Sequence, residues 1–127
     1  MASRIEFTNV TVPAGTLITA PVRTVPTFDD GEVARIEMRW PPGPSGLVGL
    51  RIGHSNQVLI PYQVNAWLIT DDEAIGWDVE GFPTARKWFI DGYNSDIYDH
   101  TIQFRWLLNE VPIATLAPPP LLPALVG

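Results

Sequence analysis

The sequence predicts an all-β protein: a single antiparallel β-sandwich of about eight strands, jelly-roll or immunoglobulin-like, with an extended proline-rich C-terminal tail. Three observations predict it. In Tyr98–Glu110, Tyr98, His100, Ile102, Phe104, Trp106 and Leu108 alternate with Asp99, Thr101, Gln103, Arg105 and Asn109, and Leu107 is the one apolar exception. A period of two over that length is a strand with one buried and one wet face. Glu32–Trp40 repeats the pattern, with Ala34, Ile36, Met38 and Trp40 against Val33, Arg35, Glu37 and Arg39. Finally, 13 prolines and 10 glycines punctuate the chain, giving a turn signal about every 8–12 residues, the spacing of sandwiches and barrels. No window shows a 3.6-residue apolar stripe.

In chain order, Arg4–Val12 reads as a first strand with Ile5 and Phe7 on one side, and with a bulge expected near Asn9 and Val10 to correct its phase. Thr16–Pro26 reads as an edge strand, because Pro21 and Pro26 cannot donate to a ladder. Phe28-Asp29-Asp30-Gly31 is a turn before the Glu32 strand. Pro41-Pro42-Gly43-Pro44-Ser45-Gly46 is a loop. Leu47–Gly53 and Gln57–Ile60 form a hairpin around His54-Ser55-Asn56. Val64–Thr70 is apolar on both faces and reads as a central or interfacial strand. Asp71-Asp72-Glu73 opens an acidic loop. Ile75, Trp77 and Val79 alternate with Gly76, Asp78 and Glu80 as a short strand or arm. Arg86–Tyr93 is a strand, Asn94-Ser95-Asp96 a turn, and the Tyr98 strand follows. The sandwich therefore spans residues 1–110 and the tail 111–127.

Composition bounds the function. At 127 residues with 46% hydrophobic side chains, the chain can build one core. Without cysteine it has no disulfide, thiolate metal site or cysteine nucleophile. A net charge of -6 argues against a nucleic-acid partner. No apolar run approaches a membrane span, and the N-terminus has no signal-peptide pattern. Neither nucleic acid nor membrane is expected as a partner.

Catalytic, metal and cofactor sites are not expected. His100, beside Asp99 and near Asp96, could serve as a general base, but no supported nucleophile accompanies it. It reads better as a partly buried histidine bonded to a backbone carbonyl. His54 and His100 lack zinc spacing. Asp71, Asp72 and Glu73, with Asp78 and Glu80, offer oxygens for Ca²⁺ but not in the EF-hand pattern, so a solvated loop is the better reading. The tryptophans carry more. Trp40, Trp88 and Trp106 are in phase with apolar faces and belong to the core. Trp67 and Trp77 are out of phase or in loops and are interface candidates, since exposed tryptophan anchors protein contacts or stacks on sugars. Val111–Gly127 is uncharged with Pro112, Pro118, Pro119, Pro120 and Pro123. It is suited to lie extended over a neighbour, with Leu116, Leu121, Leu122, Leu125 and Val126 as its contacts.

The runs W-P-P-G-P-S-G-L-V-G-L-R-I (Trp40–Ile52), Q-V-L-I-P-Y (Gln57–Tyr62) and G-Y-N-S-D-I-Y-D-H-T-I-Q-F-R-W (Gly92–Trp106) resemble small β-sandwich structural proteins of tailed bacteriophages. The resemblance covers most of residues 4–110 through strand phase and turn residues, and it excludes the tail. It implies a non-enzymatic virion protein, assembled in the host cytoplasm. The role it implies is structural: decorating or cementing a capsid, or sitting in the phage tail. The first expectation is a decoration protein on a lattice of major capsid protein or among other virion subunits, with the apolar C-terminal segment giving self-association into a homo-oligomer. The alternative expectation is a carbohydrate- or receptor-binding sandwich of a phage tail or cell surface, with Trp67, Trp77 and Tyr93 as stacking platforms.

Overall fold

The computed structural model describes residues 3–28, 31–61, 63, 65–83 and 87–109. It holds eight strands: β1 (Ser3–Val12), β2 (Val22–Thr24), β3 (Glu32–Trp40), β4 (Val48–His54), β5 (Gln57–Ile60), β6 (Glu73–Pro83), β7 (Trp88–Asn94) and β8 (His100–Asn109). Among the described residues there is no α-helix. Sheet A has the order β1-β8-β3-β6 and sheet B the order β2-β7-β4-β5, and all pairings are antiparallel. Among the described strands, only β4 and β5 are successive and neighbour each other; every other connection between them crosses between the sheets. That order is the jelly roll's, and it decides between the two topologies left open by the strand pattern.

The core lies between the sheets. β8 supplies Ile102, Phe104, Trp106 and Leu108, and β3 supplies Ile36, Met38 and Trp40, all at most 1% exposed. Sheet B answers with Val48, Leu50, Ile52, Trp88 and Ile90. Trp106 is the hub. Its ring meets Phe28 at 5.0 Å and Trp88 at 5.4 Å edge-on, and stacks on Phe104 at 6.0 Å. Its Nε1–H donates to Thr8 Oγ1 at 3.1 Å, so the buried indole loses no hydrogen bond.

Several expectations are corrected. The register of β1 on β8 runs unbroken from Ser3↔Asn109 to Val12↔His100, with no bulge. Thr8, Val10 and Val12 therefore face inward, and Ile5 and Phe7 stand outside the sandwich, 52% and 61% exposed. The bulge lies in β3 instead, between Val33 and Arg35, and turns Val33 into the core. The Thr16–Pro26 strand contracts to Val22–Thr24 between its prolines. In place of a strand over Val64–Thr70, the described part touches the sheet through a single bridge, Leu68 to Leu50. Tyr98 lies in the turn before β8 and is exposed.

Candidate interaction surface

The connections β1–β2, β3–β4, β5–β6 and β7–β8 meet at one end of the sandwich, and hydrogen bonds brace them. Asp71, from the acidic loop, accepts at Oδ1 from the backbone N–H of Gly43 and of Ser45, both at 2.9 Å. Its neighbour Asp72 pairs with Arg39 at 3.2 Å. This stretch is thus a clip on the 41–46 loop rather than a merely solvated segment. Ser95 donates to the Leu47 carbonyl from both its backbone N–H (2.9 Å) and its hydroxyl (3.0 Å). Gly15 N–H reaches the Asp96 carbonyl at 3.2 Å, and Ala14 N–H reaches Asp99 Oδ1 at 2.8 Å. Asn94, fully buried, ties three segments: its amide donates to the carbonyls of Val12 (2.9 Å) and Tyr98 (2.7 Å) and accepts from Asp96 N–H (2.8 Å).

Upon this braced end stand apolar side chains with no core to enter. Leu17, Ile18, Leu47, Ile97 and Tyr98 are 40–79% exposed. Leu17 and Ile18 border a groove of about 390 Å³ completed by Tyr93, Asn94 and Ser95. Exposed apolar side chains held on rigid loops are the makings of a protein contact. The signal available in sequence was the placement of Leu17-Ile18 and Ile97-Tyr98 within turn-rich segments, where a core residue has no reason to be.

His100 sits at the base of this end. Its Nε2 lies 2.7 Å from Asp96 Oδ2, so its partner is a carboxylate and not the expected backbone carbonyl. The His100 bond, aided by the Ile97 backbone N–H, holds the Asp96 carboxyl below its ordinary range. A Cβ at Gly43 would stand 3.6 Å from the imidazole, so the loop backbone closes over the ring. The pair fastens the β7–β8 turn to the start of β8.

The predicted interface residues are not brought together. Trp67 is on the outer face of sheet B, with the Arg51 guanidinium 4.2 Å over its ring and Tyr93 edge-on at 4.9 Å. Asp91, 3% exposed, lies beside them. It is gripped by Arg23 at 2.7 and 3.0 Å and approached by Arg51 at 3.5 Å, while Arg23 also covers the Phe89 ring at 3.9 Å. Glycine makes this layer possible: a Cβ at Gly49 would collide with Tyr93, and one at Gly53 with Phe89. Trp77 differs from its expected placement. It is in β6 opposite Ile36 and packs against the core, because β6 is a full strand whose Ile75, Trp77 and Val79 are its less exposed side. Leu116, Leu121, Leu122, Leu125 and Val126 lie outside the described residues.

No family model matches the chain, and no curated protein matches it. Among solved structures, a chain of the cyanophage Pam1 capsid asymmetric unit is similar with a TM-score of 0.52 and 12% identity, covering 86% of this chain and 85% of that one. At that identity the similarity is one of fold.

Proposed function

We propose that this protein is a non-enzymatic structural component of a tailed-phage virion. In this reading it is a decoration or cement protein that docks on the major capsid protein lattice and self-associates. The observation that carries the reading is the braced loop end with Leu17, Ile18, Leu47, Ile97 and Tyr98 exposed. Burying such side chains is worth about 1.5–3 kcal/mol each before the costs of association. Loops already hydrogen-bonded to one another lose little further freedom on docking, so more of that gain is kept. The jelly-roll order, the fold similarity to a chain of a phage capsid unit, and the sequence resemblance to phage sandwich proteins support the same reading. The tail residues Leu116, Leu121, Leu122, Leu125 and Val126 carry the self-association, and Trp67, on the outer face of sheet B, is a separate contact candidate.

A glycan-binding module has less support. Of its platforms, Trp77 packs inward and Trp67 has one face covered by Arg51.

The test is co-sedimentation with capsids assembled from the major capsid protein of the same source, with occupancy read by electron microscopy. The full chain binds in a regular array, and Ile97→Asp with Tyr98→Ser lowers affinity at least tenfold while leaving the melting temperature in place. Binding that survives that double substitution, or a chain that binds glycans and ignores capsids, overturns the proposal.

A further inference from the structure

We infer that the outer face of sheet A is the seat of the C-terminal segment, residues 111–127, of a neighbouring copy. The inference rests on the self-association proposed above and names the surface that would accomplish it.

The face begins on β1, an edge strand paired, among the described residues, with β8 alone. Ile5 and Phe7 point outward from it and are more than half exposed. Ile5 is directly opposite Leu107, and these residues with Arg4, Ala34 and Asn109 line a groove of about 500 Å³. Phe7 lines a second groove of about 380 Å³ on the same face, walled by Arg35, Glu37, Arg39 and Arg105.

The charges of this face select the occupant. Glu37 pairs with Arg35 at 2.9 Å and with Arg105 at 2.5 Å, and Arg35 pairs with Asp78 at 2.9 Å. Arg39, on the same wall, pairs with Asp72 at 3.2 Å. Three guanidinium groups thus meet three carboxylates, Glu37, Asp78 and Asp72, so these pairs leave the face with no net charge to favour a charged ligand. An uncharged, apolar, extended segment is the complement. Val111–Gly127 is such a segment in this chain. At about 3.1 Å per residue in the proline-rich extended form it reaches ~50 Å, longer than the ~33 Å of a ten-residue strand.

The exit point favours a neighbour's groove over the chain's own. Asn109, the last residue of β8, lies at the mouth of the groove, and β8 runs past Leu107 out of it. A return to the chain's own groove would require a reversal of direction straight after β8, whereas a neighbour's groove requires none. A two-fold arrangement in which each copy gives and receives one tail satisfies both grooves at once.

Complementation between two full-length variants tests this. The groove variant carries Ile5→Glu and Phe7→Glu, and the tail variant carries Leu121→Asp and Leu122→Asp. Wild type is expected to sediment as a multiple of 14.1 kDa, and each variant as a monomer, at least tenfold weaker in association. Mixing the two restores mixed dimers, visible by native mass spectrometry, because one copy keeps a groove and the other a tail. Circular dichroism and melting temperature are expected to match wild type, since Ile5 and Phe7 are exposed; Ile5→Gln with Phe7→Gln repeats the test without added charge. A monomeric wild type, a groove variant that associates like wild type, or a mixture that stays monomeric overturns the inference. Capsid binding is read separately through Ile97 and Tyr98, so the failure of either proposal is distinguishable from failure of the other.

Discussion

The two sheets share one core but finish their outer faces differently. Sheet A carries its ion pairs in the open: Arg35 with Glu37 and Asp78, and Arg105 with Glu37, with side chains up to 81% exposed. Sheet B sinks one carboxylate, Asp91, to 4% side-chain exposure beneath Arg23 and Arg51, and roofs the glycines of β4 with Phe89 and Tyr93. The same chemical pair, guanidinium and carboxylate, therefore does different work. On sheet A water screens it, and each pair contributes little to stability. On sheet B the carboxylate has little water left, so the arginines replace its solvation and fix the layer above the strands. Sheet A is the more replaceable surface, and sheet B the more built one.

The largest effect is expected where the comparison should vanish. Trp106→Ala removes the hub beneath both sheets and should cost ~3–5 kcal/mol in a denaturant melt; a loss under ~1 kcal/mol would mean the inner faces do not depend on that ring. Asp91→Ala comes next. Leaving Arg23 and Arg51 without their carboxylate should cost about 2–3 kcal/mol, less than for a fully buried pair because Arg23 stays half exposed. If Asp91→Ala cost no more than Arg105→Ala, the contrast between the outer faces would be broken.

The smallest effect is one of pH. Hydrogen bonds from Arg35 hold the Glu37 carboxyl below its ordinary range, as His100 does for Asp96. A carboxyl depressed in the folded state stabilises it fully above the unfolded value, near ~4, and loses that contribution as pH falls through the folded value. Melting temperature should therefore drop in the acid limb, and Glu37→Gln with Asp96→Asn should flatten the drop below about pH 4–5. An acid limb as steep as that of wild type would remove both carboxylates from the account.

The legibility of the sequence follows the same division. β8 and the end of β3 could be read because their alternation is strict: Ile36, Met38, Trp40, Ile102, Phe104 and Trp106 are all in the core. β1 misled, because Ile5 and Phe7 are its most apolar residues and yet face outward, while Thr8 is turned inward by the Trp106 indole. The bulge at Ala34 left no mark in composition. The alternation of Ile75, Trp77 and Val79 reads as a short strand or arm, but nothing local shows that β6 pairs along β3, and that pairing is what turns Trp77 onto the core. The Asp91 cluster joins residues 23, 51, 67 and 91, and such a juxtaposition exists only once the register of sheet B is set. The clip at Asp71 is of the same kind. Local pattern shows what alternates, whereas cross-strand register decides what meets.

The pairing of β1 with β8 also sets when the protein can come into being. Ser3 is matched to Asn109, and β8 separates β1 from β3 within sheet A. A growing chain on the ribosome can make the β4–β5 hairpin early, but sheet A has no centre until β8 has been made. Contacts of such sequence separation close slowly, because the entropy of a long loop is lost before any contact returns it. The fold should therefore form late and all together. A chain shortened from its C-terminus into β8 should lose the whole sandwich at once rather than a single strand.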